Sequence, residues 1–305
     1  MNILEARRLV NSSGFIDKNF FSFFSENIQR IYAGYCNKID YEFSLNSKNL
    51  EIGFEYEPFY SFNSQFDGSE MKKKSFDFIY SHLKLLNTKE EKTFFNLEII
   101  EKIFRFAFNS NLFLIHFGFE VLNRKTTKIK VYFIPIFNFI FSIRAPRLTE
   151  LFKNQCDVMM RLLGFNNAGV SHLIDNSLNA FAVDFFPNGA FSFKIYQYYK
   201  KDEGFNKKNI GYENKLLPSF LKNPQINDTD ILYRIQKHGS TYAISSKIYL
   251  YPKPPFSFRV IKKNTGIGIF KKVDIIRRKL KIGMLSPVIY SIGFNKEGAF
   301  DLYIR

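Results

Sequence analysis

Between Thr127 and Pro135 apolar and polar positions alternate: Ile129, Val131 and Phe133 fall on one side, Lys128, Lys130 and Tyr132 on the other. A period of two predicts a β-strand with one oily face and one cationic, phenolic face. The same short phrase returns as Lys194-Ile-Tyr196 and Lys247-Ile-Tyr249, each inside another β-branched and aromatic run. Residues two apart on a strand face the same way, so a closed sheet would gather all three Lys-x-Tyr pairs in its lumen. Ammonium and phenol groups collected there would hold a polyanion such as a diphosphate.

Elsewhere the pattern predicts helix followed by hairpin, repeatedly. Apolar residues at helical spacing over 16–35 predict a first helix that stops at Gly34. Residues 39–45 and 50–56 form hairpin one about a polar turn at 46–49. Amphipathic helices follow over 74–86 and 91–108, with Thr88 placed to cap the second. Hairpin two is 112–122 with 128–136, and a helix covers 146–163 ahead of a loop with a short helix at 164–177. Hairpin three, 180–186 with 191–199, turns at Pro187-Asn188-Gly189. After a mixed segment at 212–236, hairpin four is read as 242–251 with 256–261, then a basic helix over 270–281, then hairpin five as 288–294 with 299–305. The repeat recurs at about 50 to 70 residues. The expected fold is therefore α+β: a ten-stranded antiparallel β-barrel of five helix/β-hairpin repeats surrounded by an outer ring of helices, one domain over 1–305.

Composition sharpens this. With 38 Phe, 17 Tyr and no Trp, the interior must be built largely from phenyl rings. Lys+Arg 44 against Asp+Glu 28, a net charge of +16, favours an acidic partner: nucleic acid, a membrane surface or a phosphorylated small molecule. Basic blocks such as Lys72-Lys73-Lys74 and Arg277-Arg278-Lys279 are short and dispersed and read as solvated faces. Cys36, Cys156 and the four His are too scattered for metal-ligand spacing or a disulfide framework. Residues 1–14 lack the apolar run of a signal peptide, and the oily stretch 131–143 is broken by Pro135 and Asn138. A cytoplasmic monomer without membrane or nucleic-acid contacts is expected.

With these phrases in hand, the chain resembles the aromatic prenyltransferases of the ABBA barrel family, in which five α-β-β-α repeats make a ten-stranded barrel. Three phrases carry the likeness: Glu42 in Tyr-Glu-Phe-Ser-Leu-Asn with the later Phe-Glu-Tyr-Glu-Pro, Lys128-Ile-Lys130-Val-Tyr132, and Val183-Asp184 leading to Lys194-Ile-Tyr196. The resemblance implies transfer of an allylic prenyl group (dimethylallyl, geranyl or similar) from its diphosphate to a small aromatic or peptide acceptor. It implicates Lys128, Lys130, Lys194, Lys247 and Arg259 in diphosphate binding and Tyr132, Tyr196, Tyr198, Tyr249 and Tyr303 in shielding the cation, with Glu42 as the carboxylate facing the acceptor. Ser192 stands where some members carry an Arg. No cofactor is implied beyond the prenyl diphosphate co-substrate. The chain has no Asp-Asp-x-x-Asp motif, so Mg²⁺ is expected to be dispensable and no residue is assigned to a metal. Asp184 is read as structural and His116 as a satisfied core histidine.

A rival reading is a non-enzymatic, basic β-rich protein that binds nucleic acid or a phosphorylated ligand through aromatics interleaved with Lys. For nucleic acid it requires those lysines on an open groove. The prenyl-transfer reading requires them inside a closed lumen.

Overall fold

The computed structural model describes the chain except residues 15, 47–51, 61–67, 90–93, 111–112, 123–124, 136–145, 166–177, 201–214, 239–240 and 296–299. Its centre is a closed antiparallel sheet of ten long strands: β1 (Cys36–Asn46), β2 (Ile52–Tyr60), β3 (Phe113–Leu122), β4 (Lys125–Pro135), β5 (Leu178–Phe185), β6 (Phe191–Lys200), β7 (Ile226–His238), β8 (Thr241–Pro252), β10 (Pro287–Asn295) and β11 (Phe300–Ile304). Neighbours in the chain are neighbours in the sheet, and β11 returns to pair with β1, so the ring has no open edge. The two-residue β9 (Phe256–Ser257) adds only a short pairing onto β10.

Helices α1 (Ile3–Ser13), α2 (Lys18–Tyr32), α3 (Ser69–Lys89), α4 (Leu97–Phe108), α5 (Pro146–Leu162), α6 (Leu217–Leu221) and α7 (Phe258–Lys279) punctuate the hairpins. None of the described helices is long and apolar enough to cross a membrane. The alternation fixes which strand face the helices cover. On β4, Ile129, Val131 and Phe133 are wholly buried on the outer face. On β1, β2 and β3 the outer residues are Phe43, Phe54 and Phe119, and α2 packs Phe21 and Phe24 against them. The Phe24 ring meets Phe54 at 4.9 Å, edge to face, the geometry that rings prefer. Phe-rich composition thus becomes a cylindrical core between barrel and helices, leaving the inner faces polar.

Three expectations need correcting. Hairpin four is β7 with β8, not 242–251 with 256–261. Beyond Ser257 the chain is helical, and α7 buries Phe258, Ile261 and Thr265 at a spacing of three and four. Thr88 caps nothing: it lies inside α3, its hydroxyl donating to the Leu85 carbonyl, and α4 is capped by Asn96. The N-terminal segment, assigned no structure from sequence, forms α1. It is closed by a capping box in which Asn2 accepts from the Glu5 amide and Glu5 accepts from the Asn2 amide. The loop expected at 164–177 lies outside the described residues beyond Phe165, as do the turns at 47–49 and 296–298.

Candidate active site

The inner faces of β4, β6, β8 and β11 converge. A cavity of about 470 Å³ is lined by Lys128, Lys130, Tyr132, Lys194, Tyr196, Lys247, Tyr249 and Tyr303, together with Arg234 of β7 and the carboxylates Glu120 and Asp301. All three Lys-x-Tyr pairs therefore share one chamber. Between each Lys and Tyr the intervening residue, Val131, Ile195 or Ile248, is buried on the outer face, so packing against helices holds the polar pair inward.

Every lysine of the chamber has a carboxylate partner. Lys130 donates to Glu55 at 2.6 Å and lies 3.0 Å from Glu120. Glu120 also pairs with Lys128, Lys194 lies 2.7 Å from the fully buried Asp184, and Lys247 pairs with Asp301. Around Lys130, burial alone would lower the ammonium pKa, but Glu120 and Glu55 hold it well above the ordinary lysine value. Lys194 behaves oppositely. Burial, with Arg234, Lys130 and Lys128 crowding it, outweighs Asp184 and brings it down to about 7. Lys247 is lowered as well, by burial and by repulsion from Arg234 and Lys130.

The phenols stay protonated. Burial first, and nearby carboxylates or phenols next, raise Tyr132 and Tyr196 well above their ordinary value, and burial pushes Tyr249 to about 12. Tyr132 donates to Glu55 at 2.9 Å and its ring centroid lies 5.9 Å from that of Tyr196. Tyr303 donates to the Tyr249 oxygen at 3.2 Å, and the Lys247 ammonium sits 5.0 Å from the Tyr249 ring centroid. A neutral phenol offers a hydrogen-bond donor and a π face without the nucleophilic oxygen of a phenolate.

Glycines make room for these groups. A Cβ on Gly118 would stand 2.4 Å from the Glu55 Cγ, and one on Gly293 would stand 2.5 Å from the Lys247 Cε. Gly118 faces Lys130 across the β3–β4 ladder, which lets Glu55 lie over β3 and reach the ammonium. We expect Gly118→Ala to cost about 1–3 kcal/mol through overpacking and to displace Glu55 from Lys130. Denaturant unfolding checks the first effect and loss of turnover with retained helical circular dichroism the second.

Other residues singled out from sequence fall elsewhere. Glu42 faces the lumen beside its register partner Glu55 but does not line the cavity, and Arg305 donates to it at 2.7 Å. Tyr198 is also outside the cavity lining, donating to Asp228 at 2.9 Å. Arg259 is a correction: as the second residue of α7 it is exposed on the outside of the barrel, because the strand expected there is helix. His116, buried on β3, is lowered to about 3 by burial and is neutral. Asp184, fully buried, pairs with Lys194 at 2.7 Å and sits 3.9 Å from Arg234. Glu55 and Arg234 were missed. The alternation of Gly53-Phe-Glu-Tyr56 carried the signal for Glu55, and Arg234 sat in a segment not assigned as a strand. No group of three or more His, Cys, Asp or Glu that could hold a metal ion occurs among the described residues.

No protein-family model and no curated protein matches this sequence. Solved structures do match in shape. The 5-dimethylallyltryptophan synthase from Streptomyces coelicolor superposes with a TM-score of 0.62 at 9% identity, over 99% of this chain and 95% of that one. The prenyltransferase PriB, in a ternary complex with L-tryptophan and dimethylallyl thiolodiphosphate, gives 0.61 at 10% identity over 98% and 93%. The NotF prenyltransferase gives 0.60 at 13% identity over 99% and 92%. With a closed ten-stranded ring, interposed helices and near-complete coverage of these enzymes, the chain has the fold of the ABBA-barrel aromatic prenyltransferases.

Proposed function

We propose that the protein transfers an allylic prenyl group from its diphosphate to an aromatic acceptor inside the barrel. The observation that carries this is the convergence of three Lys-x-Tyr pairs from separate strands on one cavity inside the closed barrel. Breaking the C1–O bond of an allylic diphosphate leaves pyrophosphate with the bonding electrons and a delocalised cation on the prenyl group. Fixed ammonium groups stabilise the developing pyrophosphate. The rings of Tyr132, Tyr196, Tyr249 and Tyr303 face the cation, and the barrel wall keeps water from capturing it.

The acceptor's π electrons or a lone pair then form the new bond to the prenyl carbon, and a proton leaves. We assign the proton to Glu42, which faces the same lumen just beyond the cavity lining and is held by Arg305 at 2.7 Å, whereas Glu55 is already held by Lys130 and Tyr132. Dimethylallyl is the favoured donor, because Leu232 and Ile244 are the aliphatic side chains of the lining and offer little apolar length for a longer tail. A small aromatic molecule is the acceptor we assign, placed in the lumen beside the cavity of about 470 Å³.

The lysines bear on the rival reading. With side chains only 5% exposed at Lys130 and 3% at Lys194, they do not form the open groove a nucleic-acid strand needs.

Incubation with dimethylallyl, geranyl and farnesyl diphosphates and a panel of indoles, phenols and aromatic peptides, with and without EDTA, tests the proposal by mass spectrometry. A product heavier by one dimethylallyl group on an indole or phenol, formed with EDTA present, is expected. Absence of any prenylated product across the panel contradicts it.

A pH dependence follows from Lys194. Its pKa in the free protein is about 7, and a bound diphosphate favours the charged form, so binding takes up a proton. Affinity for inorganic pyrophosphate is expected to fall as pH rises from 7 to 9. Titration calorimetry in two buffers of different ionisation enthalpy should register the proton uptake near pH 8, and Lys194→Met should abolish that component.

A further inference from the structure

Charge balance inside the barrel singles out a residue that neither the strand phrases nor the resemblance implicated. Lys128, Lys130, Lys194 and Lys247 each already hold a carboxylate at ion-pair distance, so most of their charge is matched before any ligand enters. Arg234 differs. Its nearest carboxylate is Asp184 at 3.9 Å, and Asp184 is claimed by Lys194 at 2.7 Å. The Arg234 Nε is buried with no hydrogen-bond partner, yet the side chain as a whole keeps 36% of its surface exposed and lines the cavity. A buried, unpaired guanidinium N–H is costly unless a ligand satisfies it.

The position is fixed by register. Arg234 lies directly across from Lys194 on β6 and from Ser245 on β8, which also lines the cavity. On the same pair of strands Ser192, fully buried, stands across from Gln236, one inward step along, and supplies no charge. A guanidinium presents a planar fork of donors that matches two oxygens of one phosphate group, whereas an ammonium acts as a point charge.

We propose that Arg234 is the principal anion-holding residue of the cavity, taking the diphosphate through a guanidinium whose Nε has no partner and whose contact with Asp184 is long, while the carboxylate-paired lysines surround it. This rests on the diphosphate reading above and adds to it where the uncompensated charge resides. Asp184 is then a positioning residue, holding Lys194 and Arg234 side by side without neutralising both.

The test is calorimetric titration of the full chain with inorganic pyrophosphate, comparing wild type, Arg234→Gln, Arg234→Lys and Lys128→Gln. Losing a charge-assisted contact of this kind weakens binding about tenfold to a hundredfold. We expect that loss in Arg234→Gln, partial recovery in Arg234→Lys, and a smaller loss in Lys128→Gln, whose charge Glu120 already matches. Thermal unfolding of each variant separates a binding loss from a folding loss, and the lysine variant, which keeps the charge, remains informative if the glutamine variant is unstable. Equal pyrophosphate affinity in wild type and Arg234→Gln would overturn the assignment and leave the diphosphate reading standing. Failure of the wild-type protein to bind pyrophosphate would overturn both.

Discussion

Lys130→Ala is expected to reduce prenyl transfer by at least about a thousandfold and to destabilise the fold at the same time. The side chain is 5% exposed and its ammonium serves two carboxylates, Glu55 and Glu120. Removing it leaves both facing a low-dielectric interior, and breaking a buried pair from one side costs about 3–5 kcal/mol. Turnover suffers separately. Losing a fixed charge at the pyrophosphate removes transition-state stabilisation, and each lost factor of ten corresponds to about 1.4 kcal/mol. The two effects can be resolved with Lys130→Met combined with Glu55→Gln, which withdraws one charge of each sign. That double variant should regain part of the lost stability in urea unfolding while staying inactive. Recovery of activity along with stability would show that Lys130 acts only as a structural cation.

Glu42→Gln should lower turnover by about a hundredfold to ten-thousandfold, the range for a positioned general base, with little change in donor affinity. The carboxylate does not line the cavity and is engaged by Arg305 at 2.7 Å, so replacing it leaves Lys130, Lys194 and Lys247 with the partners Glu55, Asp184 and Asp301. Single-turnover kinetics with saturating donor, set beside pyrophosphate titration, measures both quantities. A fall in pyrophosphate affinity matching the fall in rate would place Glu42 among the structural groups, and the same pair of measurements on Glu55→Gln would show which carboxylate takes the proton.

Most of the barrel was legible because its code is local. Period two at Lys130-Val-Tyr132 and Lys194-Ile-Tyr196 needs only the residues themselves, and Pro187-Asn188-Gly189 closes hairpin three with Gly189 at φ +78°, a conformation that glycine adopts freely. Hairpin four failed for two physical reasons. The β7 ladder shifts register between Ile226 and Asp228, so the apolar phase set by Ile226 does not continue into Thr229, Ile231 and Ile235. At 256–261, Phe256, Phe258 and Val260 fit a strand while Phe258 and Ile261 equally fit a helix, and six residues cannot separate the two periods. That one misassignment sent Arg259 to the lumen and hid Arg234, which β7 carries there.

The chemistry was half legible. Alternation showed which lysines and tyrosines share a face, but not that Glu55, Glu120, Asp184 and Asp301 come from other strands to pair with them. Glu120 and Asp184 each meet their lysines within one hairpin, where the inward-facing acidic residue could have been read from the alternation, while Glu55 with Lys130 and Asp301 with Lys247 depend on stagger between strands far apart in sequence. The lumen glycines were invisible for the same reason, since Gly118 matters only because Glu55 passes over it.

The most direct measurement is titration of the protein with dimethylallyl S-thiolodiphosphate, a donor analogue that ionises far more slowly than the diphosphate ester, followed by competition with inorganic pyrophosphate. The account predicts one molecule bound per chain, displaced by pyrophosphate and weakened at least tenfold by Lys194→Ala. No binding, or binding that pyrophosphate does not displace and Lys194→Ala does not change, would contradict it.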